Sequence, residues 1–394
     1  MTDVDEYARS FDLDDSDATA EQIDGGLAAI RSRCPVLHAR AMSGTEPTFL
    51  VTDHEHIRQV GADSELYAAR TAGGGTARDL DHSYDIISAI FDTDGTVHRD
   101  LRRDFGRLLN PRAARAWEAT AREIARDHLA KLAPRGSCDA IADITYRLPW
   151  PITAGLLGVD AAHHDAYREL ALGCFLRGEE EPFEQLLHGE VARKRTHPGE
   201  DLISIVLASP VDGDRLPTDA EVVRFAKIMS GAGSLTSADL TGSLLLELAD
   251  NRPLRQRILA EPALVPRLVD ELARTQSAVF SSARRATRDT VLDGQHIPAG
   301  SMMRMCWGSA ARDARVHDAP DEVRLDRRLG AHMGWGSGPH HCAGKEIALV
   351  TIPAFLTEIL RALGDYRLAP GAAPRRTFGV LRGVASLPIE WDPA

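Results

Sequence analysis

The chain has 394 residues, 43% hydrophobic and 26% charged, and a formal net charge of −12. That acid excess argues against nucleic acid as a partner, and the absence of any apolar run of spanning length argues against a membrane protein. Five scattered cysteines, Cys34, Cys138, Cys174, Cys306 and Cys342, argue against a disulfide framework and for a reducing compartment. With an acidic start, Met1–Glu6, where a signal peptide would be basic and apolar, the expected location is the cytoplasm.

Residues 1–44 read as a polar, partly loose lead-in, and 45–394 as one large domain, since no Ser/Gly tract, Pro-rich stretch or repeat divides them. Pro47 to Thr52 alternates as a strand does. The Gly-rich run Thr71–Thr76 predicts a long mobile loop. From Val97 to His128 the pattern is helical, interrupted at Asn110-Pro111. Further helical segments fill 157–201 and stop at the turn His197-Pro198-Gly199. Thr218-Asp219-Ala220-Glu221 is a capping box that opens a helix reaching Asn251-Arg252-Pro253, roughly 30 residues or about 45 Å. Its middle is apolar on nearly every side, so it belongs in the centre of the molecule. Val265 to Thr275 is another helix, residues 291–298 are strand-like up to the turn at Gly300, and Phe378 to Trp391 reads as short hairpins. The fold class is mainly α with a small β portion.

Two segments carry the chemistry. Inside the long helix lies Ser230-Gly231-Ala232-Gly233-Ser234-Leu235-Thr236-Ser237, a run of poor helix formers. Small residues there permit either a helix crossing or the close approach of a flat group, and the Thr236 hydroxyl can bond back to the Ala232 carbonyl and bend the helix. The second segment is Trp335-Gly336-Ser337-Gly338-Pro339-His340-His341-Cys342-Ala343-Gly344, a Gly-built loop feeding a helix with Cys342 near its start. Helix N-terminal amides favour the thiolate there. A lone thiolate cannot build a zinc or iron–sulfur site, but it can hold a heme iron axially. A buried inert cysteine fits the same local pattern.

The cysteine run resembles the heme-ligand loop of the cytochrome P-450 family, Phe-Gly-x-Gly-x-His/Arg-x-Cys-x-Gly. Gly336, Gly338, His340, Cys342 and Gly344 are in register, and Trp335 replaces the Phe. The resemblance extends over about residues 45–392. It implies a P-450-like single domain with a long central helix over heme b, Cys342 being the axial iron ligand. Trp335, Gly336 and Gly344 then flank the ligand. Ala232, Gly233 and Thr236 match the oxygen-activation groove Ala/Gly-Gly-x-Asp/Glu-Thr, where Leu235 stands in place of the family's acid, and leucine cannot relay a proton. His98 and Arg102, at i,i+4 spacing, together with Arg284 and His340, match the donors to the heme propionates. Glu271 and Arg274 match the Glu-x-x-Arg pair that braces the pocket.

The activity the resemblance implies is a heme-thiolate monooxygenase that oxidises a small organic molecule, a hydroxylation in secondary metabolism, with oxidative C–C or C–N coupling of aryl groups as the alternative. Val279 and Phe280 are expected to join Leu235 on the substrate wall, and the stretch 158–201 to form a short lid. Electrons are expected from NAD(P)H through ferredoxin and ferredoxin reductase. Arg99, Arg103, Arg107 and Arg112, part of a cluster of six arginines within 99–115, are the candidate docking patch for an acidic ferredoxin, although a charge run is also the common form of a solvated helix face.

Overall fold

The computed structural model describes residues 12, 13, 15, 18–39, 47–69, 89–328, 330 and 332–392. The expected loop at Thr71–Thr76 and the start Met1–Glu6 lie outside them. The described part of the lead-in is an ordered helix, Ala20–Arg33, opened by a Thr19–Gln22 capping box. Ile23, Leu27 and Ile30 recur on one face and pack with Leu37, Leu50 and Phe280, which is why this segment docks although its composition is polar.

The small sheet has five strands in the order Val36–Ala39, Thr48–Val51, Met302–Met305, Ser282–Ala286, Tyr67–Ala68. Thr48–Val51 runs parallel to Met302–Met305, so this pairing closes only after the helices between the two strands have been laid down. All four residues of Thr48–Val51 are buried, so the alternation in the sequence does not translate into an inside and an outside face. Residues 291–298 form the hairpin Thr290–Leu292 with Gln295–Ile297. At the C-terminal end, Arg375–Thr377 pairs with Gly383–Ser386, and Pro388–Glu390 pairs with both Ser137–Asp139 and Arg367–Leu368.

The helical part follows its capping chemistry. Asn110 separates Gly95–Leu109 from Pro111–Arg115: its amide donates to the Gly106 and Arg107 carbonyls, and its Oδ1 accepts from the Arg112 and Ala113 amides. One side chain thus closes one helix and opens the next. Trp117–Leu132 continues the run and packs against the C-terminal helix Lys345–Leu363. The long helix spans Asp219–Asp250, with the Thr218–Glu221 capping box at one end and Asn251 at the other. It lies in the main core with Trp150, Tyr167, Phe183 and Phe225. No helix among the described residues is long and apolar enough to cross a membrane.

Asp239 is the one carboxylate buried in the middle of the long helix, 6% exposed, and it accepts a hydrogen bond from the Tyr146 hydroxyl at 3.1 Å. Burial lifts its carboxyl to about 7 against the smaller, lowering effect of that bond. The folded chain therefore binds a proton that the unfolded chain releases once the pH exceeds the ordinary carboxylate range. Stability from this group is full at low pH and is lost as pH rises through about 7, by an amount on the order of 4 kcal/mol. Asp239→Asn keeps an acceptor for Tyr146 and removes the titration. Urea unfolding at pH 5 and pH 8 is expected to show a larger loss between the two for the wild-type chain than for the variant.

Candidate active site

The cysteine loop is built by close approaches that only glycine permits. A Cβ on Gly334 would lie 2.1 Å from the Ala273 carbonyl oxygen. Gly338 has φ +74° and its Cβ would lie 2.0 Å from the Gly61 carbonyl oxygen. Within the loop the Cys342 amide donates to the Trp335 carbonyl at 2.8 Å and the Gly336 amide to the Met333 carbonyl. The helix behind it starts at Lys345 with Gly344 as cap, so Cys342 stands just outside the helix. The amides of Gly344 and Lys345 bond to its sulfur, and the charges of Arg102 and Lys345 pull in the same direction, but burial is the larger influence and pushes the thiol up. The expected preference for thiolate is thus outweighed in the chain by itself; a bound cation supplies what the amides do not.

Opposite the loop, the small residues of the long helix turn out to serve two purposes. A Cβ on Gly231 would lie 2.8 Å from the Phe175 ring and one on Gly233 would lie 2.9 Å from Thr153 Oγ1, so both glycines admit neighbouring side chains. Ser234 donates to Thr153 Oγ1, and Ser230 accepts from the Tyr167 hydroxyl. Ala232, Leu235 and Thr236, together with Gly231 and Gly233, line a cavity of about 380 Å³. Thr236 Oγ1 donates to the Ala232 carbonyl at 2.6 Å, the back-bond expected from the sequence, and the helix remains continuous through it.

That cavity gathers nearly all the expected site residues: Cys342, Trp335, Gly336, Gly344, His98, Arg102, Arg284, His340, Ala232, Gly233, Leu235, Thr236 and Val279. Phe280 is not among them. It is fully buried in the cluster of the N-terminal helix, against Phe378 and under the Arg382 guanidinium at 5.0 Å. The expected lid is present as His164–Leu172 and Glu180–Thr196 joined by a wide turn, Gly173–Arg177, which presents Phe175 to the cavity. Val380 and Leu381 complete the wall.

At one end of the cavity the basic donors converge. The rings of His98 and His340 stack at 4.0 Å. His340 Nε2 meets Asp94 Oδ1 at 2.9 Å, while the buried His98 Nε2 has no partner. Burial and the neighbouring His340 and Arg102 hold His98 well down, at about 3. Arg102 donates to the His341 carbonyl and ring, tying Gly95–Leu109 to the cysteine loop. Arg284 donates only to the adjacent Ala283 carbonyl at 2.8 Å, and burial pushes its pKa down despite Asp94 nearby. A buried thiol, apolar and small-residue walls, and an end bearing two arginines and an unpartnered imidazole nitrogen together fit a flat apolar disc that carries a thiolate-binding metal and an anionic edge.

Glu271 and Arg274 lie outside the cavity and form a buried pair, with contacts of 2.8 and 3.0 Å. Arg274 also donates to the carbonyls of Ala311, Pro320 and Glu322, and Glu271 accepts from the Arg324 amide and from Arg327 Nε at 2.9 Å. Arg327, Asp270 and Asp94 were not singled out from the sequence. Asp270 accepts from the Gly330 amide at 2.7 Å and from Trp335 Nε1 at 3.4 Å. No local pattern marks these residues, although Asp270 is adjacent to Glu271 and one carboxylate of such a pair was recognisable. Arg99, Arg103, Arg107 and Arg112 are exposed as expected, but Asp100 and Asp104 pair with Arg103, and Asp104 with Arg107, which weakens the patch.

A family model described as Cytochrome P450 matches residues 180–370. The chain is 31% identical over 392 residues to nocardicin C N-oxygenase of Nocardia uniformis subsp. tsuyamanensis, covering 95% of this chain and 97% of that protein. The chain belongs to the cytochrome P450 family. Mycinamicin IV hydroxylase/epoxidase of Micromonospora griseorubida is a further relative of this P450, 28% identical with 93% and 95% of the two chains covered. The crystal structure of HmtN, a post-tailoring hydroxylase of himastatin biosynthesis, superposes with a TM-score of 0.82 at 26% identity, covering 93% of this chain and 96% of that one. The family implies heme, and the donor set just described fits it.

In this P450 the Glu271–Arg274–Arg327 cluster holds together the helix Val265–Gln276 and the segment leading to the cysteine loop. Glu271→Ala leaves two guanidinium groups in a buried site without their carboxylate, which costs about 3–5 kcal/mol. The variant is expected to unfold at a much lower urea concentration and to lose heme on gel filtration, with Glu271→Gln intermediate in both.

Proposed function

We propose that this P450 is a monooxygenase that hydroxylates a small, largely apolar molecule of secondary metabolism, with ferredoxin and ferredoxin reductase as the source of electrons from NAD(P)H. The carrying observation is that Cys342 and Thr236 line one apolar cavity from opposite sides, with the basic donors at one end. Support comes also from the relatives, named as an N-oxygenase, a hydroxylase/epoxidase and a tailoring hydroxylase. Heme with a thiolate ligand supplies the redox chemistry: one atom of dioxygen goes to the substrate, and the other leaves as water with two electrons and two protons.

The chain's own residues have separable tasks. Cys342 would ligate the iron, with its amide fixed to the Trp335 carbonyl and its sulfur receiving the Gly344 and Lys345 amides, bonds that tune its basicity. His98, Arg102, Arg284 and His340 would hold the propionates, and Asp94 orients His340 for this. Thr236 keeps its proton on the Ala232 carbonyl at 2.6 Å and must turn out of that bond to present the hydroxyl to the cavity. Leu235, 7% exposed, excludes water beside it. The exposed Arg99 and Arg112, with no carboxylate paired to them in the described residues, are the parts of the basic cluster best placed to meet an acidic ferredoxin.

One observation favours a second reading. Leu235 stands where the family has its acid, and aryl coupling, which abstracts hydrogen without inserting oxygen and returns both oxygen atoms as water, is the alternative this departure leaves open. Isotopically labelled dioxygen separates the two: label in the product is the expected result, and an unlabelled coupled product would overturn oxygen insertion. Leu235→Asp is expected to raise the fraction of reductant that ends in product several-fold. Thr236→Ala is expected to lower that fraction several-fold while reductant consumption continues, read as peroxide released per NAD(P)H oxidised.

A further inference from the structure

A second cavity, of about 390 Å³, lies behind the cysteine loop and does not share its lining with the first apart from the helix Val265–Gln276. Its walls come from that helix, from the turn after Asp313, and from Arg324, Leu325, Arg327, Arg328 and His332. The charges on those walls divide into spent and unspent groups. Glu271 is engaged by Arg274, Arg327 and the Arg324 amide. Asp270 is engaged by the Gly330 amide and by His332 at 3.2 Å, and Asp318 by Arg324 at 3.0 Å. Arg274, Arg324 and Arg327 are consumed by these same contacts and by backbone carbonyls.

What remains carries no carboxylate. His317 is 8% exposed, lines the cavity, and its buried Nε2 has no hydrogen-bond partner among the described residues; His332 Nε2, though 3.2 Å from Asp270, makes no hydrogen bond among them either. Arg267 has only one long bond, 3.4 Å, to the Leu325 carbonyl. Arg328 has no ion pair or hydrogen bond among the described residues, and both arginines are exposed at the rim. A buried polar nitrogen is costly to leave without a partner, so His317 Nε2, at the floor of an arginine-rimmed cavity, calls for a partner from outside the described residues. Every acid on the wall is already neutralised, which disfavours a cation. Three donors from three chain segments surround one volume, a distribution that suits a tetrahedral oxyanion with acceptors on all sides better than a planar carboxylate.

We propose that this cavity binds a phosphate group, held by His317 Nε2 at the floor and by the guanidinium groups of Arg267 and Arg328 at the rim. The ring of His317 is held neutral, at about 4, by burial and by the charges of Arg274 and His332, and an anion beside it relieves that repulsion. The volume exceeds what inorganic phosphate fills, so a phosphate monoester is accommodated in the same site. A bound phosphate links the helix Val265–Gln276 to residue 328, ahead of the cysteine loop, and so adds to the brace made by Glu271.

The test is calorimetric titration of the heme-loaded full chain with inorganic phosphate, and separately with ribose 5-phosphate, at fixed pH with sodium chloride holding the ionic strength constant. Saturable binding of at least one is expected, weakened about tenfold, or 1.4 kcal/mol, in His317→Phe and in Arg328→Ala. Tighter binding of ribose 5-phosphate identifies a monoester as the ligand, and equal binding identifies the free anion. Absence of saturable binding of both overturns the proposal, as does wild-type affinity in the two variants, which would leave a buried water as the partner of His317. Should His317→Phe fail to fold, the double variant Arg267→Ala, Arg328→Ala changes only exposed rim residues, and wild-type affinity there overturns the proposal equally.

Discussion

Two adjacent carboxylates on one helix, Asp270 and Glu271, hold the thiol-bearing loop in place, and each faces a different part of it. Asp270 reaches the Gly330 amide and the Trp335 indole, so it fixes the residue whose carbonyl receives the Cys342 amide. Glu271 gathers Arg274 and Arg327, and through them the carbonyls of Ala311, Asp318, Ala319, Pro320 and Glu322. A buried ion pair is often no more stabilising than well-packed apolar side chains. Its use here is directional: guanidinium donors clamp a segment poor in regular structure, whose backbone carbonyls would otherwise be unsatisfied. The cavity depends on this clamp, because the loop has few apolar anchors of its own.

The long helix resolves the two readings its small residues left open by adopting both. Gly231 and Gly233 yield to Phe175 and Thr153, which lets the lid and the helix Trp150–Leu157 come close. Ala232 and Thr236 face the cavity. With 3.6 residues per turn, Ala232 and Thr236 at i,i+4 share a face, and Gly231 and Gly233, which admit Phe175 and Thr153, border the same cavity, so one short run serves as crossing and as groove. The serines follow the same division. Ser230 and Ser234 bond to Tyr167 and Thr153 on the packing side, and Ser237 bonds back to the Gly233 carbonyl at the cavity.

Features set by local chemistry were legible in the sequence. Thr218 with Glu221 fixed one end of the long helix and Asn251 the other, and Asn110-Pro111 marked a helix boundary that the Asn110 side chain caps on both sides. Cys342, Thr236, His98, Arg102, Arg284 and His340 could be named because each sits in a short pattern with a fixed spacing. Features set by distant partners were not legible. Strand Met302–Met305 has its meaning only beside Thr48–Val51, and Asp94 matters only because His340 returns to it across the fold. Phe280 shows the same limit at a single residue. Val279 and Phe280 are equally apolar, and only the packing of distant segments decides that Val279 faces the cavity while Phe280 fills the space over Gly308.

The departure at Leu235 is not compensated by the nearest acid on the same helix. Asp239 lies one turn further on and retains a proton near neutral pH, which is the property a relay needs. Its carboxylate, however, points to Tyr146 and fills the space beside Gly383, and it does not line the cavity. At i,i+3 from Thr236 and i,i+4 from Leu235 it shares their side of the helix, so its bond to Tyr146 rather than helical rotation holds it away from the cavity. The proton-bearing groups left to the helix face of the cavity are therefore the hydroxyls of Thr236 and Ser237, each donating to a carbonyl one turn back. A hydroxyl committed to its own helix can pass a proton only by accepting one from water as it gives one up. Under the proposed function, proton delivery along this helix depends on how much water the substrate leaves beside Thr236, so the fit of the substrate, rather than a resident acid, would set how efficiently electrons are turned into product.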